Sequence, residues 1–351
     1  MKRRFLFCMV AVLAILGASL GVAYLKSIDR GDLGIGDEAA ERCTAPALQS
    51  FWRMINGYPD YSAEQVINYF GVFAAFAANA YTPVPQDSFV LSEQEFAWKK
   101  HGNDIARMGG FLAQVYYRET AERLLVMTVY RGTDGALSVE DNISNASWFT
   151  QMLNPWDQYR TARQTFQQIR TEAKQVAAGR TIGYLTVGHS LGGGLARHIA
   201  KAFPCTTAIV FNSSFVTNEF RLARPYGDAQ VVDLFEKEDP LTGAALYIKP
   251  DEFFRNSKSH QWYRLYNVAD RFNNQHGIVV ATKSMGRIAL ACFTRDDDCG
   301  DAITNTVGLP SMDSEIAYPR GLEEVGKLWC SAAGMETRSK LCVGFQGATR
   351  R

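Results

Sequence analysis

The chain has 351 residues, room for one large domain or two modest ones, and 47% of them are hydrophobic, enough for a substantial core. Lys and Arg total 37 against 36 Asp and Glu, and a formal net charge of +1 argues against a nucleic-acid partner recruited by bulk charge.

Lys2, Arg3 and Arg4 precede an uncharged run from Phe5 to Leu25, long enough to span a bilayer as a helix. A basic cluster ahead of such a run predicts a cytoplasmic N-terminus and an exported remainder. Two fates are open. The run could stay as an anchor that faces the protein to the periplasm or exterior, which its length favours. It could instead be a secretory signal cleaved near Ala23. Cysteine use agrees with export. Beyond Cys8 lie Cys43, Cys205, Cys292, Cys299, Cys330 and Cys342, which permit three disulfides in an oxidising compartment. Short local loops would pair Cys292 with Cys299 and Cys330 with Cys342, leaving Cys43 for Cys205. No C-x-x-C or His-x-x-x-His spacing occurs, so no metal centre is expected.

Residues 26–45 are rich in Gly, Asp and Glu and read as a linker. Leu48 to Tyr58 suggests a short helix. Ser62 to Tyr81 suggests a long one, capped by Ser62, striped by Val66, Tyr69, Phe70, Phe73 and Ala77, and stopped by Pro83 and Pro85. Phe111–Arg118 and Leu124–Tyr130 read as strands of a hairpin. The second strand runs into Arg131-Gly132-Thr133-Asp134-Gly135. From there to Trp156 periodicity is lost, and Trp148, Phe149, Met152 and Leu153 are scattered among polar residues. That pattern fits a lid, or an ordinary connection with buried anchors. Asp157 to Ala178 reads as a helix.

Ile182 to Val187 reads as a short buried strand, Gly188-His189-Ser190-Leu191-Gly192 as a tight turn, and Gly193 to Phe203 as a helix. Strand, turn and helix are the setting in which G-x-S-x-G forms a nucleophile elbow. In such a turn side chains at 188 and 192 would collide with their surroundings. The turn also lifts the Ser190 hydroxyl to a helix N-terminus, where N–H groups favour developing negative charge. A glycine-rich turn without chemistry is the plain alternative. Thr206–Phe211, Gln230–Phe235 and Trp262–Val268 read as further strands, and Gly277–Cys292 as a helix. This alternation predicts an α/β fold with a mainly parallel sheet and an antiparallel hairpin at one edge.

A serine nucleophile needs a base to take its proton and an acid to orient the base. On an elbow of this kind the chain order is Ser, acid, His, with the partners in loops past the C-terminal ends of strands. There are five histidines. His101 precedes the elbow, His189 sits inside it with its side chain directed away from the nucleophile's, and His198 lies two turns along the next helix. His276 follows the strand at Trp262 and is preferred over His260, which precedes it. Asp239 follows the strand at 230–235, leads into Pro240, and is preferred over Asp270, which shares a loop with His276. Asp233 lies inside its strand. An oxyanion hole needs two donors. Leu191 offers its backbone N–H. The loop after Tyr130 offers the second, where Gly132 permits close approach and Thr133 carries an N–H and a hydroxyl.

GHSLGGG at 188–194, preceded by VYRGTDG at 129–135, resembles the class 3 lipase family of α/β-hydrolases. That family pairs a GHSLGGA-like elbow with an F-R-G-T or F-R-G-S strand end. FNSSF at 211–215 and KEDPLT at 237–242 are similar to its following strand and its Asp-containing loop. The resemblance covers residues 61–290; the histidine loop FNNQHGIVV is its loosest part. It implies an α/β-hydrolase fold with Ser190 as nucleophile, Asp239 as acid, His276 as base, and Thr133 and Leu191 as oxyanion donors. It implies no metal or organic cofactor, a lid over 134–156, and hydrolysis of acyl lipids or related esters; a lipid or phospholipid is the expected substrate. A small-ester esterase or acyltransferase, and a non-catalytic binding module on the same fold, are the alternatives. The expected organisation is an anchor or signal over 1–25, a linker over 26–45, the hydrolase domain over 46–298, and a C-terminal extension over 299–351 to which no chemistry is assigned. A lipid or other ester and a membrane at the N-terminal segment are the expected partners; no oligomeric state is specified.

Overall fold

The computed structural model describes residues 48–49, 63–81, 89, 91, 97–107, 110–132, 158–214, 230–236, 239, 241, 260–265, 277–279, 281–282, 285, 303–305 and 311–312. The N-terminal apolar run, the linker and the segment read as a lid lie outside them.

Leu48–Gln49, expected to open a helix, is instead strand β1, paired antiparallel with Ser311–Met312. A partner that distant in sequence leaves no trace in local periodicity. Helix α1 spans Ala63–Asn79, and its second half is Ala- and Phe-rich and buried on every side from Phe70 to Ala78. Two short strands follow, β2 (Lys99–Lys100) and β3 (Ile105–Ala106), and then a hairpin of β4 (Leu112–Glu119) and β5 (Arg123–Tyr130). Helix α2 (Gln158–Ala177) leads to β6 (Thr181–His189), and helix α3 (Leu191–Ala202) leads to β7 (Thr206–Phe211). The chain is completed by β8 (Gln230–Glu236), β9 (His260–Leu265), β10 (Ile303–Asn305) and β11 (Ser311–Met312).

One nine-stranded sheet runs β10-β9-β8-β7-β6-β5-β4-β2, with β3 also paired to β4. Strands β5 to β9 are mutually parallel; β4, β2, β3 and β10 pair antiparallel at the two edges. The sheet is therefore mainly parallel with the hairpin toward one edge. The opposite edge receives Ile303–Asn305, from the stretch read as an extension.

The parallel strands read as unbroken apolar runs because both of their faces are covered. Leu125, Met127, Val129, Leu185, Val187, Ile209, Phe211, Val232 and Leu234 face one cluster with Phe70, Phe73 and Phe76 of α1. Leu124, Val126, Tyr184, Ala208 and Val210 face the other, with Phe166 and Ile169 of α2 and Leu195 and Ile199 of α3. The path β5, β6, β7 steps one way across the sheet, and crossovers of one hand put both connecting helices on one face. Being mutually parallel, the five strands β5 to β9 all end at the same edge, where the elbow leaves β6. Cys205, ahead of β7, has φ 60° and is disulfide-bonded, with its partner outside the described residues. Among the described residues no helix is long and apolar enough to cross a membrane.

Candidate active site

Ser190 follows the last residue of β6 and caps α3 with φ 56° and ψ −127°. A non-glycine residue in such a region costs on the order of 1–3 kcal/mol and persists only where its surroundings over-determine it. They do so here. The Ser190 N–H donates to the Phe211 carbonyl at 3.2 Å, and its own carbonyl accepts from Gly194 at 3.1 Å and Ser214 at 2.8 Å. The elbow is thus tied to β7 on one side and to its own helix on the other. Backbone packing accounts for its two glycines. A Cβ at Gly188 would run into the Gly192 carbonyl, and a Cβ at Gly192 would strike the Tyr130 carbonyl oxygen and come within 2.8 Å of the Gly132 nitrogen. Leu191 is the first residue of α3. Its N–H is among those a helix leaves without an intrahelical acceptor.

The end of β5 lies directly against this turn. A Cβ at Gly132 would come within 2.7 Å of the His189 carbonyl oxygen and 3.3 Å of the Gly192 nitrogen. Thr133, the next residue, lies outside the described residues.

Asp239 is three residues past the end of β8 and buried at 1% exposure, with its N–H donating to the Glu236 carbonyl at 3.2 Å. Asn212 secures the strand end that leads to it. The Asn212 N–H donates to the Leu234 carbonyl and its side-chain Oδ1 accepts from the Glu236 N–H, both at 2.8 Å. Asn212 does this at φ 41°, a left-handed conformation that asparagine tolerates. Asp233, inside β8, is committed elsewhere. It accepts from the Ser213 hydroxyl at 2.9 Å and pairs with the largely buried Arg197 at 3.4 Å.

The histidines separate by position. His276 and the rival acid Asp270 lie outside the described residues. His260, expected in a loop ahead of its strand, is the first residue of β9, opposite Val231. Across the sheet His189 is level with Phe211, Leu234 and Tyr263. His260 is therefore three residues below that level, about 10 Å toward the far edge at the usual rise per residue. The chain leaves β9 at the elbow's edge only after Leu265. Further on, Ile278 and Met285 join the core cluster that also holds Val187, Phe211 and Leu234. His101 is exposed and stacked on Tyr117, with ring centroids 4.1 Å apart. His198 is fully buried, 2.7 Å from Nη1 of Arg163. A guanidinium only donates, so His198 Nε2 accepts and the ring is neutral with its proton on Nδ1.

His189 is buried too, but its partner is Tyr81, just beyond α1. The Tyr81 hydroxyl is 3.0 Å from His189 Nδ1, 3.2 Å from the His189 carbonyl oxygen, and 2.9 Å from the Gly132 nitrogen. Sequence reasoning gave Tyr81 no part in the site. Its position after an apolar helix carries no signal of chemistry. Among the described residues no group of three or more His, Cys, Asp or Glu side chains could hold a metal ion.

A family model described as a Tle-like phospholipase domain matches residues 72–234, from α1 into β8. This region is similar to a phospholipase-like domain, and its strands form the mainly parallel part of the α/β sheet. The match supports carboxylic ester hydrolysis as its chemistry. It takes in Ser190, Leu191 and Thr133 and stops short of Asp239. Similar solved structures include a Rhizomucor miehei lipase propeptide complex, 14% identical, covering 64% of this chain and 83% of that one with a TM-score of 0.35. A lipase from Rhizopus microsporus var. chinensis is 11% identical, with 62% and 82% covered and a TM-score of 0.36. A triacylglycerol lipase from Penicillium expansum is 12% identical, with 56% and 77% covered and a TM-score of 0.33. Comparison with curated protein sequences gives no match.

Proposed function

We propose that the lipase-like domain hydrolyses carboxylic esters of acyl lipids, phospholipids foremost, through a triad of Ser190, His276 and Asp239. The observation that carries this reading is the backbone of Ser190. A strained serine held at a helix N-terminus, with the end of β5 packed against the same turn, is what nucleophilic attack on an acyl group needs. The phospholipid preference takes its support from the family match. Asp239 is supported by its place past β8, two strands from the elbow and at the same edge. His276 is supported by its position after β9 and two residues before Ile278, which enters the core cluster that also holds Val187 and Phe211, whereas His260 begins its strand at the opposite edge.

In this mechanism the Ser190 Oγ attacks the ester carbonyl carbon as His276 takes its proton. The tetrahedral oxyanion is received by the Leu191 N–H and by Thr133. Collapse expels the alkoxide, which leaves as the alcohol with the proton from His276. Water, deprotonated by His276, then attacks the acyl-enzyme, and the fatty acid departs as Ser190 regains its proton. Asp239 holds the imidazole in the tautomer that accepts from serine. The N-terminal run exports this domain and tethers it to the membrane that supplies the lipid.

The test has two arms. Full-length protein in detergent is treated with a fluorophosphonate probe, and the labelled residue is mapped. The same preparation is offered phosphatidylcholine, a triacylglycerol and p-nitrophenyl butyrate. The expected outcome is label on Ser190 and release of fatty acid from phospholipid. Folded protein that takes no label refutes the serine-hydrolase reading. Label with turnover of the butyrate alone moves the assignment to a small-ester esterase.

A further inference from the structure

The parallel ladder between β5 and β6 ends at the pair Tyr130 and Gly188. The next rung of a parallel ladder would run from the Gly132 N–H to the His189 carbonyl. The Tyr81 hydroxyl stands between these two groups, 2.9 Å from the first and 3.2 Å from the second. The Gly132 N–H can only donate and the His189 carbonyl can only accept. The hydroxyl therefore accepts from one strand and donates to the other, as an inserted rung. Its second lone pair then faces His189 Nδ1 at 3.0 Å, which puts the His189 proton on that nitrogen. One donor and two acceptors are all engaged, the full capacity of a hydroxyl.

We infer that Tyr81 is a positioning residue, whose hydroxyl bridges the end of β5 to the elbow and sets the gap between Ser190 and the oxyanion donor that follows Gly132. This rests on the ester-hydrolase reading. The two oxyanion donors come from different strands, Leu191 from the elbow and Thr133 from the end of β5. Sheet hydrogen bonds fix their spacing only as far as Tyr130, and the side-chain rung carries that control one step further. It also engages the Gly132 N–H, which leaves the oxyanion to Thr133. The bridge comes from α1, so packing of that helix on the sheet is linked to the geometry of the site. The Tyr81 ring packs against the α1 core cluster, which holds the hydroxyl in place.

Tyr81→Phe in the full-length protein removes the hydroxyl and keeps the ring. With p-nitrophenyl butyrate, kcat should fall about ten- to a hundred-fold, the size of effect that a small misplacement in an active site produces, with KM changed less than about two-fold. Affinity for a trifluoromethyl ketone, which forms the tetrahedral adduct on serine, should fall in step with kcat/KM. A folded variant with wild-type kcat and ketone affinity, or one changed only in KM, overturns the inference. The wild-type protein gives a second readout that does not depend on the variant folding. The Gly132 amide should exchange with solvent as slowly as the last amides of β5, and fast exchange there also overturns it. Wild-type protein that neither labels with fluorophosphonate nor hydrolyses the ester defeats the ester-hydrolase reading and the bridge's catalytic role with it. Labelled, active wild type beside an unaffected Phe variant defeats the bridge alone.

Discussion

Two buried histidines stand nine residues apart on either side of the start of α3, and their surroundings differ in kind. His198 lies between α2 and α3, against Arg163 and edge-on to Tyr159. Its partner can only donate, so its tautomer is fixed and its ring is locked into a helix interface. His189 lies in the elbow against a tyrosine hydroxyl, which both donates and accepts, and which also reaches the end of β5. Burial alone does not separate a structural histidine from one tied to a site. The proton inventory of the partner, and what else that partner touches, does.

Substitutions on the two sides should diverge accordingly. On the elbow side, Ser190→Ala is expected to lower kcat about a million-fold with little change in thermal unfolding. Turnover above that level in a folded variant would remove Ser190 from the chemistry. Asp239→Asn should lower kcat roughly 10⁴-fold while the protein still folds, because the amide favours the wrong imidazole tautomer. A parallel Asp270→Asn series shows whether the loss belongs to Asp239. On the helix side, His198→Leu should cost about 1.5–3 kcal/mol, the worth of a hydrogen bond to a charged group. Activity per fluorophosphonate-titrated site should stay unchanged. His198→Gln, which keeps an acceptor for Arg163, should recover part of that stability in a urea melt. If the Leu variant instead loses kcat per titrated site, the contrast between the two histidines fails.

The smallest effect concerns pH and the strands behind the site. Burial, with Glu172 and Glu119 nearby, pushes the Tyr117 phenol up to about 12, and burial holds Tyr130 well above its usual value. Both folded values exceed the unfolded one. The stability these phenols contribute is therefore complete below about pH 10 and is lost as pH rises through the folded values, since the unfolded chain releases protons that the native chain keeps. Urea midpoints should decline above about pH 10, and Tyr130→Phe should flatten that decline.

Much of the fold was legible because its signals are local. Turn glycines, apolar strands and the alternation with α2 and α3 marked the parallel core, and β7 was located to the residue. What escaped depends on distant partners. Leu48–Gln49 is a strand only because Ser311–Met312 lies beside it. His260 opens β9 because Val231 offers a ladder partner, although its polar neighbours read as a loop. The site divides the same way. The elbow is written in five consecutive residues. Tyr81 acts across 51 and 108 positions of sequence, and no spacing rule reaches that far.

The parallel pairing of β5 with β6 also bears on when the elbow forms. The β4–β5 hairpin closes through a short loop, while Arg123 meets Thr181 only after the whole of α2 has been passed. Contacts of high sequence separation are slow to form. The Ser190 backbone is held in its strained conformation by Phe211 and Ser214, beyond the next crossover. On refolding, far-UV circular dichroism should therefore return ahead of fluorophosphonate labelling. Simultaneous recovery would show that the elbow forms with the hairpin. Ser190, the proposed nucleophile, is expected to become reactive late, once the strands on both sides of β6 are in place.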